Sequence, residues 1–213
     1  MKRKIEIRNP ILNKKDLKKS IIEKADVIDL DKVIIDEGLF DDENIEEIKI
    51  NESILDNISF QSSKIEEIKI TDSLISHINF AGTTFDQAYF ERSVIDSSRF
   101  QGTQFMDCVI RDTAIKKSKC TGISLRFSKI KNIIFIDCDL ENADFLGADL
   151  ENVVFKNCNL KNSQFSQTKL KNIDFKESQI EGISLEKDSF NKITVNTGQA
   201  IYLASCMGLN IED

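Results

Sequence analysis

A four-sided all-β column, a parallel β-solenoid of about eight coils, is the fold class this sequence predicts. Three observations predict it. Every fifth residue from Ile45 to Val195 is apolar, 31 of 31 positions in a chain of 213 residues that is 40% hydrophobic. The residues two places earlier, from Ile48 to Ile193, are nineteen Ser, Thr, Cys or Ala, nine Ile and one Val, apart from Asp188. Local sequence also repeats at an offset of twenty: IEEIKINES from Ile45 recurs as IEEIKITDS from Ile65, and KNIIF, ENVVF and KNIDF begin at Lys131, Glu151 and Lys171.

A period of five matches neither the 3.6 of a helix nor the 2.0 of a long strand. It matches a short extended segment followed by a corner. Residues two apart on such a segment share a face, so a large residue at position i and a small one at i−2 both point inward. Large beside small fills a narrow interior without overpacking. Five residues per side and twenty per coil give four sides. Positions i−1, i+1 and i+2 are mostly polar and are expected to face water.

The elements follow in chain order. Residues 1–25 are expected to form an N-terminal cap, because a parallel solenoid leaves unpaired edges at its ends. Within it Lys4–Arg8, with alternating Ile5 and Ile7, predicts a short strand. Asn13–Lys24 predicts a capping helix, with Asn13 as N-cap, Leu17, Ile21 and Ile22 on its apolar side and Lys14, Lys15, Lys18 and Lys19 on its solvated side. Residues 26–197 are the solenoid, with Ile133, Val153, Ile173 and Ile193 expected in one inward file. Residues 198–213 form a C-terminal segment in which Gln199–Met207 predicts a short helix stopped by Gly208. That helix is apolar nearly all round, so one face is expected to cap the core and the other to meet a second copy. Ile201, Tyr202, Leu203, Met207 and Leu209 are the expected dimer contacts, the alternative being a self-sufficient monomeric cap.

The run Ala143–Asn152, ADFLGADLEN, carries the unit A(D/N)LxX. In this the chain resembles the pentapeptide-repeat family over roughly residues 26–197. The resemblance implies a right-handed quadrilateral parallel β-helix and end-to-end dimers. It also brings the best-known role of the family, the binding of DNA gyrase by acidic rods that mimic duplex DNA and protect the enzyme from quinolones or toxins. The loops that interrupt the repeat in many quinolone-resistance members have no counterpart here.

The net charge of −7 is unevenly spread. Residues 1–24 carry a net +6, residues 26–75 a net −11 and residues 91–131 a net +5, the last from nine cations. A belt of cations across the middle of the rod argues against a faithful duplex mimic, whose charge would be unbroken along its length. Acidic surface on either side of the belt argues against direct nucleic-acid binding.

One file breaks the polar-outward rule. Ile54, Leu74, Val94, Ala114, Ile134 and Val154 stand at i−1, twenty apart, until Asp174 ends the series. Phe127 is the one Phe off the five-residue register. The file reads either as ladder packing of β-branched residues or as a lateral interface, and on the second reading this file and Phe127 are the candidate partner-binding residues. No catalytic, cofactor or metal site is expected. His77 is the only histidine, the eight glycines form no phosphate-binding pattern, and the five cysteines show no metal spacing. Charged residues open the chain and no stretch approaches a membrane span, so a cytoplasmic protein is expected. The sequence therefore reads as a non-catalytic interaction scaffold, dimeric through its C-terminus. The alternative is a DNA mimic acting on DNA gyrase.

Overall fold

The computed structural model describes residues 7–212. From Val27 onward their strands pair in parallel at a uniform offset of twenty: Ile45 opposite Ile65, Ile65 opposite Phe85, Ile130 opposite Leu150, Ile133 opposite Val153. The result is a four-sided β-solenoid of about eight turns. Side one carries Ile45, Ile65 and Phe85 inward, side two Ile50, Ile70 and Phe90, side three Leu55, Ile75 and Ile95, and side four Phe60, Phe80 and Phe100. All of these side chains are buried.

Inside, the rings stack coil on coil. On side three Phe135, Phe155 and Phe175 stack with centroids 5.1 and 5.3 Å apart and ring planes nearly parallel. On side one Phe145 and Phe165 stack at 4.6 Å, and the two stacks meet edge to face. Such offset and T-shaped contacts suit the ring quadrupole. Most buried serines are satisfied by the backbone. Ser73 Oγ donates to the Thr71 carbonyl at 2.7 Å and accepts the Ser53 N–H at 3.1 Å. Serine therefore fills the small inward position with its hydroxyl paired, except at Ser128, whose Oγ finds no hydrogen-bond partner among the described residues.

The corners explain the third feature of the repeat. Position i+2 takes a left-handed conformation at nearly every corner, with φ of +56° at Asn152 and +69° at Gly147. Asn, Asp and Gly tolerate that region best, and they hold most of these positions. Side one is the exception in the early coils. Strands Asn44–Asn51, Lys64–Thr71 and Thr84–Glu91 run on from side one to side two without such a corner. In later coils the unbroken strands, Cys108–Lys116, Lys129–Ile136 and Asp149–Lys156, instead join sides two and three, while Phe127, Gly147 and Gln167 turn left-handed after side one. Where the two patterns meet, a void of about 20 Å³ opens among Phe100, Phe105, Cys120, Ile123 and Phe135. Its lining is wholly apolar, so it is a packing defect rather than a water site.

Both ends differ from expectation. Asn13–Lys24 is not a helix. Asn13 does cap, accepting the Lys15 N–H at 3.3 Å, but it closes a single turn in which Asp16 N–H reaches the Asn13 carbonyl at 2.9 Å. Lys18–Lys19 then pairs in parallel with Val33–Ile34, adding a rung to side three. The pairing energy of a ready sheet edge outweighs the helix signals of an isolated, Lys-rich segment. Ile22 tucks against Phe40 and Gly38, whose missing side chain makes room: a Cβ there would lie 2.8 Å from the Phe40 ring and 2.9 Å from Ile22. The expected strand at Lys4–Arg8 lies mostly outside the described residues.

Upstream of that turn the chain forms a strap across the coils. Arg8 holds Asp112 through two nitrogens, at 2.5 and 2.9 Å, and reaches Glu91 at 3.3 Å. The Ile11 N–H donates to Asp72 at 2.9 Å. The strap thus follows the corner between sides two and three, down a file built from Asp72, Arg92, Asp112 and Asn132.

At the other end the inward residues Leu185, Phe190 and Val195 are only half-buried, and a 3₁₀ turn, Lys187–Lys192, interrupts the last coil. A helix, Thr197–Cys206, closes the column. It starts two residues before the sequence suggested. Asn196 and Gln199 form a reciprocal capping box, each side chain accepting the other's N–H at 2.9 Å. The Gln199 amide also donates to the Phe175 and Ser178 carbonyls, at 2.7 and 2.6 Å. One side chain thereby starts the helix and ties it to the column.

Candidate interaction surface

The apolar file predicted from the sequence forms as a ladder on side three. Ile34 faces Ile54, Ile54 faces Leu74, Leu74 faces Val94, Val94 faces Ala114, Ala114 faces Ile134, and Ile134 faces Val154. Ile34 is an addition at the lower end. The large members are half-buried and Ala114 is buried. Adjacent rungs stand about 4.8 Å apart, so branched side chains shield one another along the file and still present an apolar strip to solvent. Asp174, opposite Val154, ends the strip.

A second ladder runs beside it on the same side. Asp56 faces Ser76, Ser76 faces Asp96, Asp96 faces Lys116, Lys116 faces Ile136, and Ile136 faces Lys156. Its charge reverses between Asp96 and Lys116. Sequence reasoning saw the acidic and basic segments but not that they share this file. The signal was there, in the residues two places after each member of the apolar file.

Phe127 does not join the ladder. It sits at the corner after side one, 65% exposed and left-handed at φ +58°. Its ring lies over the next coil at Gly147, where a Cβ would stand 2.5 Å from the ring, and the Arg126 guanidinium lies 6.0 Å from its centroid. Gly147 thus provides both the positive φ and the room for that ring.

The expected dimer residues divide. Leu203 is buried against the column, and Tyr202 is half-buried with its hydroxyl accepting the Gly182 N–H at 2.6 Å. Ile201, Met207 and Leu209 are 48%, 51% and 61% exposed, so these three are the ones available to a partner.

The electrostatically perturbed groups cluster along the strap. Burial alone would raise the carboxyl of Asp72, but hydrogen bonds from Arg92, at 2.8 and 2.6 Å, and from the Ile11 N–H outweigh it and hold Asp72 below the usual carboxylate range. Asp112 behaves likewise, its burial outweighed by Arg8 and Asn132. The Arg92 guanidinium is correspondingly raised, first by its hydrogen bond to Asp72. His77 Nδ1 lies 2.7 Å from Asp56, whose carboxyl is lowered by the Ser76 hydroxyl and by His77. The buried thiols of Cys108 and Cys120 are pushed up by burial. These are structural pairings on a convex surface, and none lines up a nucleophile with a base. Among the described residues no group of His, Cys, Asp and Glu could hold a metal ion, and no helix is long and apolar enough to cross a membrane.

Comparison with known proteins finds the repeat in two family models. A family model described as pentapeptide repeats in eight copies matches residues 75–112, and a second, a pentapeptide repeat region, matches residues 119–185. No curated protein matches the chain. Among solved structures, one of QnrB1, a plasmid-mediated fluoroquinolone resistance protein, is 14% identical with a TM-score of 0.41, covering 84% of this chain and 99% of that one. HetL, a pentapeptide repeat protein involved in heterocyst differentiation regulation from the cyanobacterium Nostoc, is 12% identical with a TM-score of 0.31, covering 75% and 85%. A pentapeptide repeat protein of the Arabidopsis thaliana thylakoid lumen is 18% identical with a TM-score of 0.25, covering 60% and 71%.

Proposed function

Pentapeptide repeats build this chain, and on that premise we propose that it is a non-catalytic, cytoplasmic interaction scaffold that presents side three to a protein partner. The observation that carries the proposal is the ladder from Ile54 to Val154. It is a straight apolar strip on a rigid face, bordered on one side by charge, on a rod whose other outward positions are largely polar. Rigidity matters because a preformed flat face loses little conformational freedom when it docks. The exposed Ile201, Met207 and Leu209 support a further contact, an end-to-end dimer at the C-terminal cap.

The test places a charge on the strip. Val94→Lys and Ile134→Lys are expected to abolish the co-purifying partners of the tagged protein in native extract, while Gln179→Lys, on side four, leaves them bound. Full retention of every partner by both side-three variants would sink the proposal. Phe127→Ala in the same assay shows whether the corner ring adds to the strip. A second reading, a duplex-DNA mimic acting on DNA gyrase, draws support from the net charge of −11 on residues 26–75. It is weakened by the cationic rungs above, where Arg111 stands opposite Lys131.

A further inference from the structure

We propose that the partner of side three is a second copy of this chain, docked face to face with its axis reversed. The inference rests on the reading of side three as an interface, and names its occupant. What carries it is the order of residues in the two adjacent ladders. Let a two-fold axis lie in the face and cross it midway between the rung of Val94 and Asp96 and the rung of Ala114 and Lys116. It turns each rod end for end and brings each ladder onto itself. Along the apolar ladder Val94 then meets Ala114 of the other copy, Leu74 meets Ile134, and Ile54 meets Val154. Along the charged ladder Asp96 meets Lys116, Asp56 meets Lys156, and Ser76 meets Ile136. Every ionic rung meets its opposite, and the bulkier Val94 meets the smallest residue of the strip.

Self-complementarity of this kind is what an isologous contact requires, since each residue serves both copies. A parallel pairing of the same faces would not bring the charged ladders together. The ladders are continuous through these six coils by their pairing registers. Asp56 keeps 47% exposure although it holds His77, and Asp96 is only half-buried, as is Lys116, while Lys156 is exposed. Among the described residues neither Lys116 nor Lys156 has an ion-pair partner in its own chain. The strip is narrow, so the contact belongs with the smaller, weaker specific interfaces. Its charged rungs should make it weaken with salt.

The experiment uses full-length protein carrying Met207→Lys and Leu209→Lys, which removes the exposed C-terminal contact. Sedimentation velocity is measured across the micromolar range. Two charge variants are then made, Asp56→Lys with Asp96→Lys, and Lys116→Asp with Lys156→Asp. Each variant alone faces like charge with like and is expected to associate roughly tenfold or more weakly than its parent. Mixed in equal amounts, the two should form a heterodimer at least as tight as the parent dimer, because every rung again joins opposite charges. A parent that stays monomeric at several hundred micromolar would overturn the proposal. So would variants that dimerise unchanged, or a mixture that fails to recover. A Val94→Lys and Ile134→Lys double variant separates the two levels. If it abolishes self-association while the charge variants do not alter it, side three stands as an interface and the reversed pairing fails. If it leaves self-association intact, the second copy does not dock on side three and this proposal fails, whereas the reading of side three as an interface fails only if the same variant also retains every co-purifying partner.

Discussion

Phe155→Ala is expected to lower the stability of the column by about 4 kcal/mol, the cost of emptying a fully buried aromatic site that cannot collapse. Phe155 is 1% exposed and lies in the middle of a stack. Phe135 and Phe175 cover its two faces at 5.1 and 5.3 Å, and Phe145 and Phe165 meet its edges at 6.2 and 6.3 Å. Removing it takes away four ring contacts as well as buried area. The coils above and below are held by ladder hydrogen bonds at a fixed spacing, so they cannot close over the gap. Because a solenoid transmits stability between neighbouring coils, the loss should appear as earlier melting of the C-terminal coils rather than as a uniform shift. Denaturant unfolding followed by hydrogen exchange reads both effects. A loss below about 1 kcal/mol would mean that the rings are not packed as described.

Arg92→Ala is expected to cost about 2–3 kcal/mol at neutral pH, because it strips a buried carboxylate of a bidentate charged partner. Asp72 is 6% exposed and receives both Arg92 bonds, with only the strap's Ile11 N–H besides. The sign of the pH dependence follows from the direction of the shift. Asp72 in the native protein titrates below its ordinary value, so its contribution is fully present above the unfolded pKa and is lost as pH falls through the lower native one. Without Arg92 the remaining influence of burial is to raise the group, which then gains by being protonated. The difference between the wild-type protein and Arg92→Ala should therefore be largest at neutral pH and shrink on acidification below about pH 4. A difference that is flat from neutral to acid pH would show that Arg92 acts through packing alone.

How much of this was legible beforehand depended on whether a feature was periodic. The inward file is written in residues five and twenty apart, and Ile133, Val153 and Ile173 stand over one another as their spacing requires. The apolar ladder was visible for the same reason. The strap was not. Arg8 and Asp112 are 104 residues apart, and an arginine that bridges coils leaves no mark in any local pattern. Instead, Asn13 and the following Lys and Leu residues looked like a capped helix, because helix signals are local while the sheet edge that captured Lys18–Lys19 is formed by residues further along. The C-terminal helix was legible but not its beginning, since the part played by Gln199 depends on two carbonyls of the last full coil. The charge reversal along side three was present in the sequence. It becomes meaningful only once Asp96 and Lys116 are known to be rung neighbours on the face that carries the apolar strip.

The central claim is that within the repeat, from Val27 onward, residues twenty apart are spatial neighbours and residues fifteen apart are not, and disulfide trapping tests it most directly. Lys129 and Asp149 are rung partners on side two, whereas Asp144 lies on side one. In a Cys206→Ser background, which removes the one exposed native thiol, Lys129→Cys with Asp149→Cys should close an intramolecular disulfide under mild oxidation. Rung partners fall within the Cα separation of about 4.4–6.8 Å that a disulfide tolerates. Lys129→Cys with Asp144→Cys should stay reduced, as read by intact mass in dilute solution. Closure of the fifteen-residue pair in preference to the twenty-residue pair would contradict the four-sided column and everything placed upon it.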